Sequence, residues 1–513
     1  MEWQNPINYK RSSVSLGMPY AQGGYGLAYT SPQQQQRTQF YSSRHALLPP
    51  SSNTNNNGVL ANGGGSGVMD RQSYYFSPDP LYCSDWTYMN GGEMDCIALS
   101  SYKEGFNNKI LIVHGVSYGK EATGAGNGEM DEDVTMGSPT SNAYQDDLIE
   151  GFDFHKVAEA SVDYPVTNLQ WDPSMLRMAN GVSERLAASL EVLRLYKVDH
   201  EAFDENSDYK LTQTHILANN TATASSSTSS SAQSNTGGTS GSTSDDVNTF
   251  PPVTSFDWNK IDPSLIITSS VDTTCTVWDL NRSSTTADPS SDLGSPSDTA
   301  TVKTQLIAHD SEVFDVKFIH NSTNVFASVG NDGSMRVFDL RSLEHSTIIY
   351  EPSHPSTTTS TPSTPHHNSR ALLKLSASNI DQHYLATIGV NSNQVIIIDM
   401  RMPGLPVAAL DGSLGGANTT AINSIQWHPS SNYILTGGDD CQALVWDCNN
   451  IRHPGVAKSL SPALSHTPEF TSLIDSPVLA YNDDLEVNNV CWRRDSGDWM
   501  GVVSGKGFQA VLI

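Results

Sequence analysis

Three stretches of the chain repeat one pattern of apolar and polar positions: "VTSFDWNKIDPSLIITSSVDTTCTVWDL", "VFDVKFIHNSTNVFASVGNDGSMRVFDL" and "INSIQWHPSSNYILTGGDDCQALVWDC". Each opens on an alternating run that ends in an aromatic residue, Trp258, Phe318 or Trp427. A short polar turn follows, then a second run rich in Ile, Leu, Thr and Ala, a tight turn with Asp, and a third run ending in aromatic-Asp. Alternation with a period of two predicts β-strands whose side chains point by turns to opposite faces. The spacing holds: Trp258 to Trp278 and Phe318 to Phe338 are 20 residues apart, and Trp427 to Trp446 is 19.

The polar positions keep register as well. Asp272, Asp332 and Asp440 each stand six residues before the closing aromatic, and a hydroxyl stands four before each Asp: Thr268, Ser328 and Thr436. An Asp in a tight turn caps its own backbone. A buried indole is a donor that needs an acceptor, so hydroxyl, Asp and the N–H of Trp278 or Trp446 are expected to share one hydrogen-bond network. His309, in "LIAHD", is the fourth partner for one repeat. Phe338 has no donor, so that repeat lacks its indole link.

Weaker copies extend the series. "LLKLSASNIDQHYLATIGVNSNQVIIIDM" has Ala377 at the first aromatic position, Ile398-Asp399 at its end, and Asn391 in place of the turn Asp, with seven residues rather than six to Ile398. "VTNLQWDPSMLRMANGVSERLAASLEVLRLYKVD" has Trp171 and Tyr196-Lys197, and "NKILIVHGV" reads as the third strand of an earlier unit. "VNNVCWRRDSGDWMGVVSGKGFQAVLI" supplies three strands. That makes seven units, and "QSYYFSP" (72–78) has the composition to supply the missing outer strand and close the ring. Units of this kind stack radially as four-stranded propeller blades.

Through "VWDL", "VWDC" and "AHD" followed by Asp332, the chain resembles the WD40 family. The resemblance implies an all-β fold, a seven-bladed WD40 β-propeller. "SSVDTTCTVW", "VKTQLIAHDSEVFDV", "FASVGNDGSMRVFDLRSLEHSTIIYE", "DDCQALVWD" and "PVLAYNDDLEVNNVCW" look like one subfamily, that of the plant transparent testa glabra protein and its cullin-ligase-associated animal and fungal relatives. It covers blades 3 to 7 strongly and blades 1 and 2 loosely. It implies a non-enzymatic scaffold, an adaptor for kinase or transcription-regulator complexes or a substrate receptor of a cullin-RING ubiquitin ligase, acting in cytoplasm and nucleus.

Composition limits how much of the 513 residues can fold: only 37% are hydrophobic and 16% charged. The polar excess lies in blocks that cannot bury enough apolar surface to offset ordering entropy. A disordered tail over 1–72 and a propeller over 73–513 are expected, with low-complexity loop insertions near 119–151, 218–249, 282–300, 352–369 and 450–475. Removing these leaves about 300 to 350 residues of folded domain.

The formal net charge of −27 repels phosphate backbones, so protein partners are expected and direct nucleic-acid binding is not. Much of the acidity is local: from Gly119 to Asp153 there are nine acidic residues and one Lys. The six Cys show no C-x-x-C spacing, which argues against a zinc site or a disulfide frame. "MEWQNPINYK" has no apolar core, so no secretory leader is expected, and apolar runs are too short for a membrane span.

Two candidate docking residues remain. Arg341 and Arg401 follow Asp339 and Asp399 at strand ends; an aromatic-Asp-x-Arg ending is similar to the motif by which some WD40 proteins dock on the cullin-ligase adaptor, and Ile398 in place of the aromatic weakens the second copy. An Arg there offers planar bidentate contacts; the competing reading is a strand-end Arg paired with a local carboxylate. The connections after Asp339 and Asp399 are short, while the insertions near 119–151, 282–300 and 450–475 follow third strands of other blades on the same face, so the face of blades 4 and 5 is expected to stay open. "GVSYG" around Ser117 matches G-x-S-x-G without the strand-to-helix context that chemistry needs. "SGKG" (504–507) reads as a turn and His366-His367 as a solvated loop. No catalytic residue, metal ligand or cofactor is assigned. Nine Ser-Pro or Thr-Pro pairs, mostly in the tail and insertions, are candidate sites for a proline-directed kinase.

Overall fold

The computed structural model describes residues 39–42, 72–89, 92–105, 107–118, 151–176, 184–204, 207–217, 251–283, 300–351, 371–413, 416–417, 419–451, 472–494 and 496–513. The tail up to residue 38 and most of each expected insertion lie outside these residues. Nearly all regular structure described is β-strand, with one short 3₁₀ turn at Pro173–Leu176. Among the described residues no helix is long and apolar enough to cross a membrane.

Strand pairing gives four-stranded antiparallel sheets in chain order, each running from an inner first strand to an outer fourth. Blade 1 covers 81–162, blade 2 168–217, blade 3 253–307, blade 4 313–350, blade 5 372–410 and blade 6 422–482. The outer strands of blades 1 and 2, Gly151–Val162 and Tyr209–Leu217, also meet in parallel, which merges those two blades into one eight-stranded sheet. Blades 5 and 6 each carry an added parallel edge strand, Leu473–Ile474 and Gln39–Ser42.

Blade 7 takes three strands from the end of the chain and its outer strand from the other side. Gln72–Phe76 pairs antiparallel with Gly507–Leu512, Gln72 opposite Val511 and Phe76 opposite Gly507. The alternation in "QSYYF" makes this possible, and pairing removes an open edge. Ser73 Oγ, buried, accepts the backbone N–H of Phe152 at 2.7 Å, so the same strand is pinned to blade 1.

The inner strands join round a central channel by one repeated contact, in which a side chain accepts a backbone N–H of the next inner strand. Asp85 takes Trp171 (2.7 Å), Gln170 takes Trp258 (2.9 Å) and Asp257 takes Phe318 (2.9 Å). Asp315 takes Leu375 (2.9 Å), Ser376 takes Trp427 (2.9 Å), Ser424 takes Val490 (3.3 Å) and Asn489 takes Ser84 (3.2 Å), which returns to blade 1. Buried amides must find acceptors, and here the neighbouring blade supplies them. The channel encloses a cavity of about 450 Å³ lined by Asp85, Gln170, Asp257, Lys317 and Arg494 among others. Apolar cores fill the gaps between blades; at the closure Trp86 sits edge-on to Phe508 at 5.6 Å and Phe152 to Trp499 at 4.8 Å.

The turn between second and third strands follows one rule. The residue after the turn Asp has positive φ: Thr273 (73°), Gly333 (79°) and Cys441 (61°). In blade 5 Asn391 takes that conformation (56°), and Ser392 Oγ accepts the N–H of Gln394, so the turn closes without an Asp. "SGKG" is the hairpin joining Trp499–Ser504 to Gly507–Leu512, with Gly505 at φ 50°.

Candidate functional site

Asp339 ends the third strand of blade 4, Met335–Asp339, and the fourth begins at Ser342, so Arg341 sits in a two-residue connection. The Arg341 backbone N–H and Nε both bond Asp339 Oδ1, at 3.0 and 2.9 Å, and Nη2 bonds Oδ2 at 2.6 Å. Blade 5 repeats this. Arg401 N–H and Nε bond Asp399 Oδ1, both at 2.9 Å, and Nη2 bonds Oδ2 at 2.6 Å. The fork geometry of guanidinium and carboxylate explains the match, and the Asp reaching back to the backbone two residues on fixes the turn.

The two pairs differ in burial. Asp339 and Arg341 side chains are 34% and 70% exposed, Asp399 and Arg401 1% and 47%. The side-chain bond from Arg341 holds the Asp339 carboxyl down to about 2. The bond to Asp399 pushes the Arg401 guanidinium further up, and Arg401 also lies 5.8 Å from the Tyr384 ring centre. Thus the strand-end pairing is formed at both sites. What each presents outward is a pinned guanidinium beside exposed apolar side chains, Leu343 at blade 4 and Met402 and Leu405 at blade 5. Gly404 N–H donates to Ile349 O at 2.8 Å, tying the blade 5 connection to the outer strand of blade 4. Arg and Met are enriched at protein interfaces, and a pre-set rotamer lowers the ordering cost of binding. The residues from 119 to 150, 284 to 299 and 452 to 471, expected to crowd this face elsewhere, lie outside the described residues.

The expected repeat network is present but divided. Trp278 Nε1 donates to Thr268 Oγ1 and Trp446 Nε1 to Thr436 Oγ1, each at 3.0 Å. In neither blade does the turn Asp join: Asp272 serves Thr274, and Asp440 accepts the N–H of Thr419. Both blades lack a His at the position of His309, and it is the imidazole that bridges hydroxyl to carboxylate. Blade 4 has that bridge, with His309 Nδ1 3.0 Å from Asp332 and Nε2 2.7 Å from Ser328 Oγ. There Phe338 stacks on Phe326 at 5.0 Å instead of donating. Burial opposes the charge on Asp332, but bonds from His309 and Ser334 outweigh it and hold its carboxyl well below the usual range. Burial pushes Asp440 up.

Ser117 lies near the end of the strand Asn108–Tyr118, exposed, and three residues from His114, so the two side chains leave opposite faces of the sheet. His366 and His367 lie outside the described residues, as do all the Ser/Thr-Pro pairs but two. Of those, Ser77 is buried and its Oγ accepts the N–H of Asp79, while Ser476 bonds Asp475.

Sequence reasoning missed two ion pairs that bind the last blade to the first, Arg493 with Asp95 and Arg494 with Asp85. The doubled Arg in "CWRRD" was the available signal, in a chain with only 28 Lys and Arg.

The model of the WD domain, G-beta repeat, matches residues 300–339 and 407–447. Each match begins on the outer strand of one blade and ends on the third strand of the next, so the repeat unit spans a blade junction. A WD repeat-containing protein of Saccharomyces cerevisiae is 34% identical over 485 residues, 87% of this chain and 77% of that protein. The chain belongs to the WD40-repeat family. An uncharacterized WD repeat-containing protein of Schizosaccharomyces pombe is 36% identical over 389 residues, 69% of this chain and 76% of that protein. A Dictyostelium discoideum protein named DDB1- and CUL4-associated factor 7 homolog is 40% identical over 263 residues, 51% of this chain and 64% of that protein. The likeness to the cullin-ligase-associated WD40 subfamily, drawn from "DDCQALVWD" and its companions, therefore holds. This WD40 protein is a protein-interaction scaffold, and members of its class are typically non-enzymatic adaptors.

Proposed function

We propose that this WD40 protein assembles protein complexes through the surface carrying Arg341 and Arg401, with a protein kinase or a transcription regulator as the partner, in cytoplasm and nucleus. The observation that carries the reading is the twin fork: two consecutive blades hold an Arg in the same bidentate geometry, beside exposed Leu and Met. The Asp-to-backbone contact recurs at Asp279 and Asp447 of blades 3 and 6, so what blades 4 and 5 add is the guanidinium on the same carboxylate. The net charge of −27 favours partners with basic surfaces over nucleic acid.

A second reading has support of its own. The Asp-x-Arg ending and the likeness to the Dictyostelium DDB1- and CUL4-associated factor 7 homolog favour docking on the adaptor of a cullin-RING ligase, with the chain as substrate receptor. Affinity purification with mass spectrometry, on the wild-type chain and on the Arg341→Ala/Arg401→Ala double variant, separates these. Kinases or transcription regulators without ligase subunits support the first reading; a cullin and its adaptor support the second. Unchanged recovery of all partners by the double variant removes this surface from both.

A further inference from the structure

The absence of C-x-x-C spacing argued against zinc, yet the fold gathers a donor set from distant strands where blade 1 packs on blade 2. Cys96 and His114 are direct partners across the strands Met94–Ser101 and Asn108–Tyr118, so their side chains leave the same face of blade 1. Glu184 meets them from blade 2, one residue before the strand Arg185–Ser189. Cys96, His114 and Glu184 are 0%, 3% and 0% exposed, and one donor atom from each lies within 4.8 Å of the others. His114 Nε2 is 3.1 Å from Glu184 Oε1. His200, just beyond the strand Leu193–Asp199, brings its Nε2 to 3.2 Å from the same oxygen, with an imidazole 42% exposed at the rim.

We propose that Cys96 Sγ, His114 Nε2 and the Glu184 carboxylate, with His200 Nε2 as fourth donor, form a structural zinc site that staples blade 1 to blade 2. A buried carboxylate needs charge compensation, and the groups that stabilise Glu184 as an anion are these two imidazoles. One Zn²⁺ balances a thiolate and a carboxylate, leaving the buried cluster neutral. Binding displaces the thiol proton, and any imidazole proton, to solvent. Zinc bonds of about 2.0–2.3 Å in a tetrahedron set donors about 3.3–3.8 Å apart. His114 to Glu184 at 3.1 Å is near this, and Cys96 Sγ lies within 4.8 Å of both. His200, which reaches Glu184 but stands outside that mutual range, has the rim exposure to turn onto the ion. A thiolate with two imidazoles excludes Mg²⁺ and Ca²⁺ in favour of a borderline-soft ion. Four protein donors leave no open position, which makes the site structural rather than catalytic. The exposed edge of His200 gives the ion a way in.

The test uses the full-length chain purified without a metal-affinity step. Elemental analysis is expected to find about one zinc per chain, removal by chelator to lower the melting midpoint, and Co²⁺ loading to give a sulfur-to-cobalt charge-transfer band that Cys96→Ser abolishes. Zinc at trace level with no such band in Co²⁺-titrated wild type would overturn the site in favour of a metal-free carboxylate held between two imidazoles. Should Cys96→Ser fail to fold, His200→Asn at the rim serves. It is expected to weaken zinc at least about tenfold in chelator competition, since loss of an outer partner alone gives 10–100-fold. Unchanged affinity in His200→Asn overturns the four-donor assignment.

Discussion

Arg493 of the last blade reaches Asp95 of the first, with Nε 2.6 Å from Oδ1 and Nη2 3.2 Å from Oδ2. The same carboxylate accepts the indole N–H of Trp86 at 2.6 Å. Asp95 is buried and Arg493 nearly so. Next to it Arg494 Nη2 bonds Asp85 Oδ2, also at 2.6 Å, and that oxygen already holds the backbone N–H of Trp171. The seam where the ring closes is thus held by two charge-assisted pairs as well as by strand pairing.

Removing one partner of a buried pair strands the other. Asp95→Ala leaves the Arg493 guanidinium and the Trp86 indole without their acceptor and is expected to cost about 3–5 kcal/mol. Chemical denaturation of the purified variant measures this. A loss under about 1 kcal/mol would mean that the seam relies on the strand alone.

The strand Gln72–Phe76 makes the complementary prediction. Deleting residues 1–78 bares the edge of Gly507–Leu512 and removes the Ser73 contact to Phe152. At about 1 kcal/mol net for each lost ladder bond, the deletion is expected to destabilise by about 3–5 kcal/mol and to promote association through the open edge. Deleting only 1–38 leaves the described pairing intact and should leave the melting midpoint in place. Equal midpoints for the two truncations would count against closure by this strand.

Asp332 sets an acid dependence. Its folded pKa lies below its ordinary value of 3.8, so the stability it contributes is full above that pH and is lost as pH falls through the folded value. Asp332→Asn is expected to lose about 1–3 kcal/mol at neutral pH, and its deficit against wild type should shrink steadily below about pH 4. Urea midpoints taken from pH 7 to pH 2 follow the gap; a constant gap would show that the charge is not the stabilising element.

Thr273 carries a conformational cost. A β-branched residue at φ 73° is held where L side chains are strained, while blade 4 uses Gly333 at the same turn position. Thr273→Gly is expected to gain about 0.5–1 kcal/mol, because relief of strain outweighs the added freedom of the unfolded chain. Its carbonyl bonds to the N–H groups of Ala308 and His309 belong to the backbone and persist. A destabilised variant would place the Thr273 side chain in a contact that matters more than the strain.

Strand order, the turn positions and the Asp-x-Arg connections were legible because they are local, whereas the closing role of "QSYYF", which pairs with the far end of the chain, was legible from strand count, since the last unit has three strands and one open edge. Period-two alternation and an Asp six residues before an aromatic are statements about neighbours in sequence. The hydroxyl–indole pairs were legible for the same reason, since Thr268 and Trp278 lie on adjacent antiparallel strands joined by a tight turn.

The relations that failed to show are between residues far apart in the chain. Asp272 and Asp440 stand outside a network that needs an imidazole from the connection before the blade, and among the three strong repeats the bridge described is that of His309. Arg493 and Asp95 are 398 positions apart and meet because the ring closes. Cys96, His114 and Glu184 share a pocket because one sheet packs on the next. The amino-acid sequence by itself determined the repeat, its strands and the twin Arg sites, since hydrophobic alternation and turn chemistry act over a few residues. Only the tertiary structure decided which charges are buried, which donors converge and how the ends are locked, since those depend on which blade faces become neighbours when the chain curves back on itself.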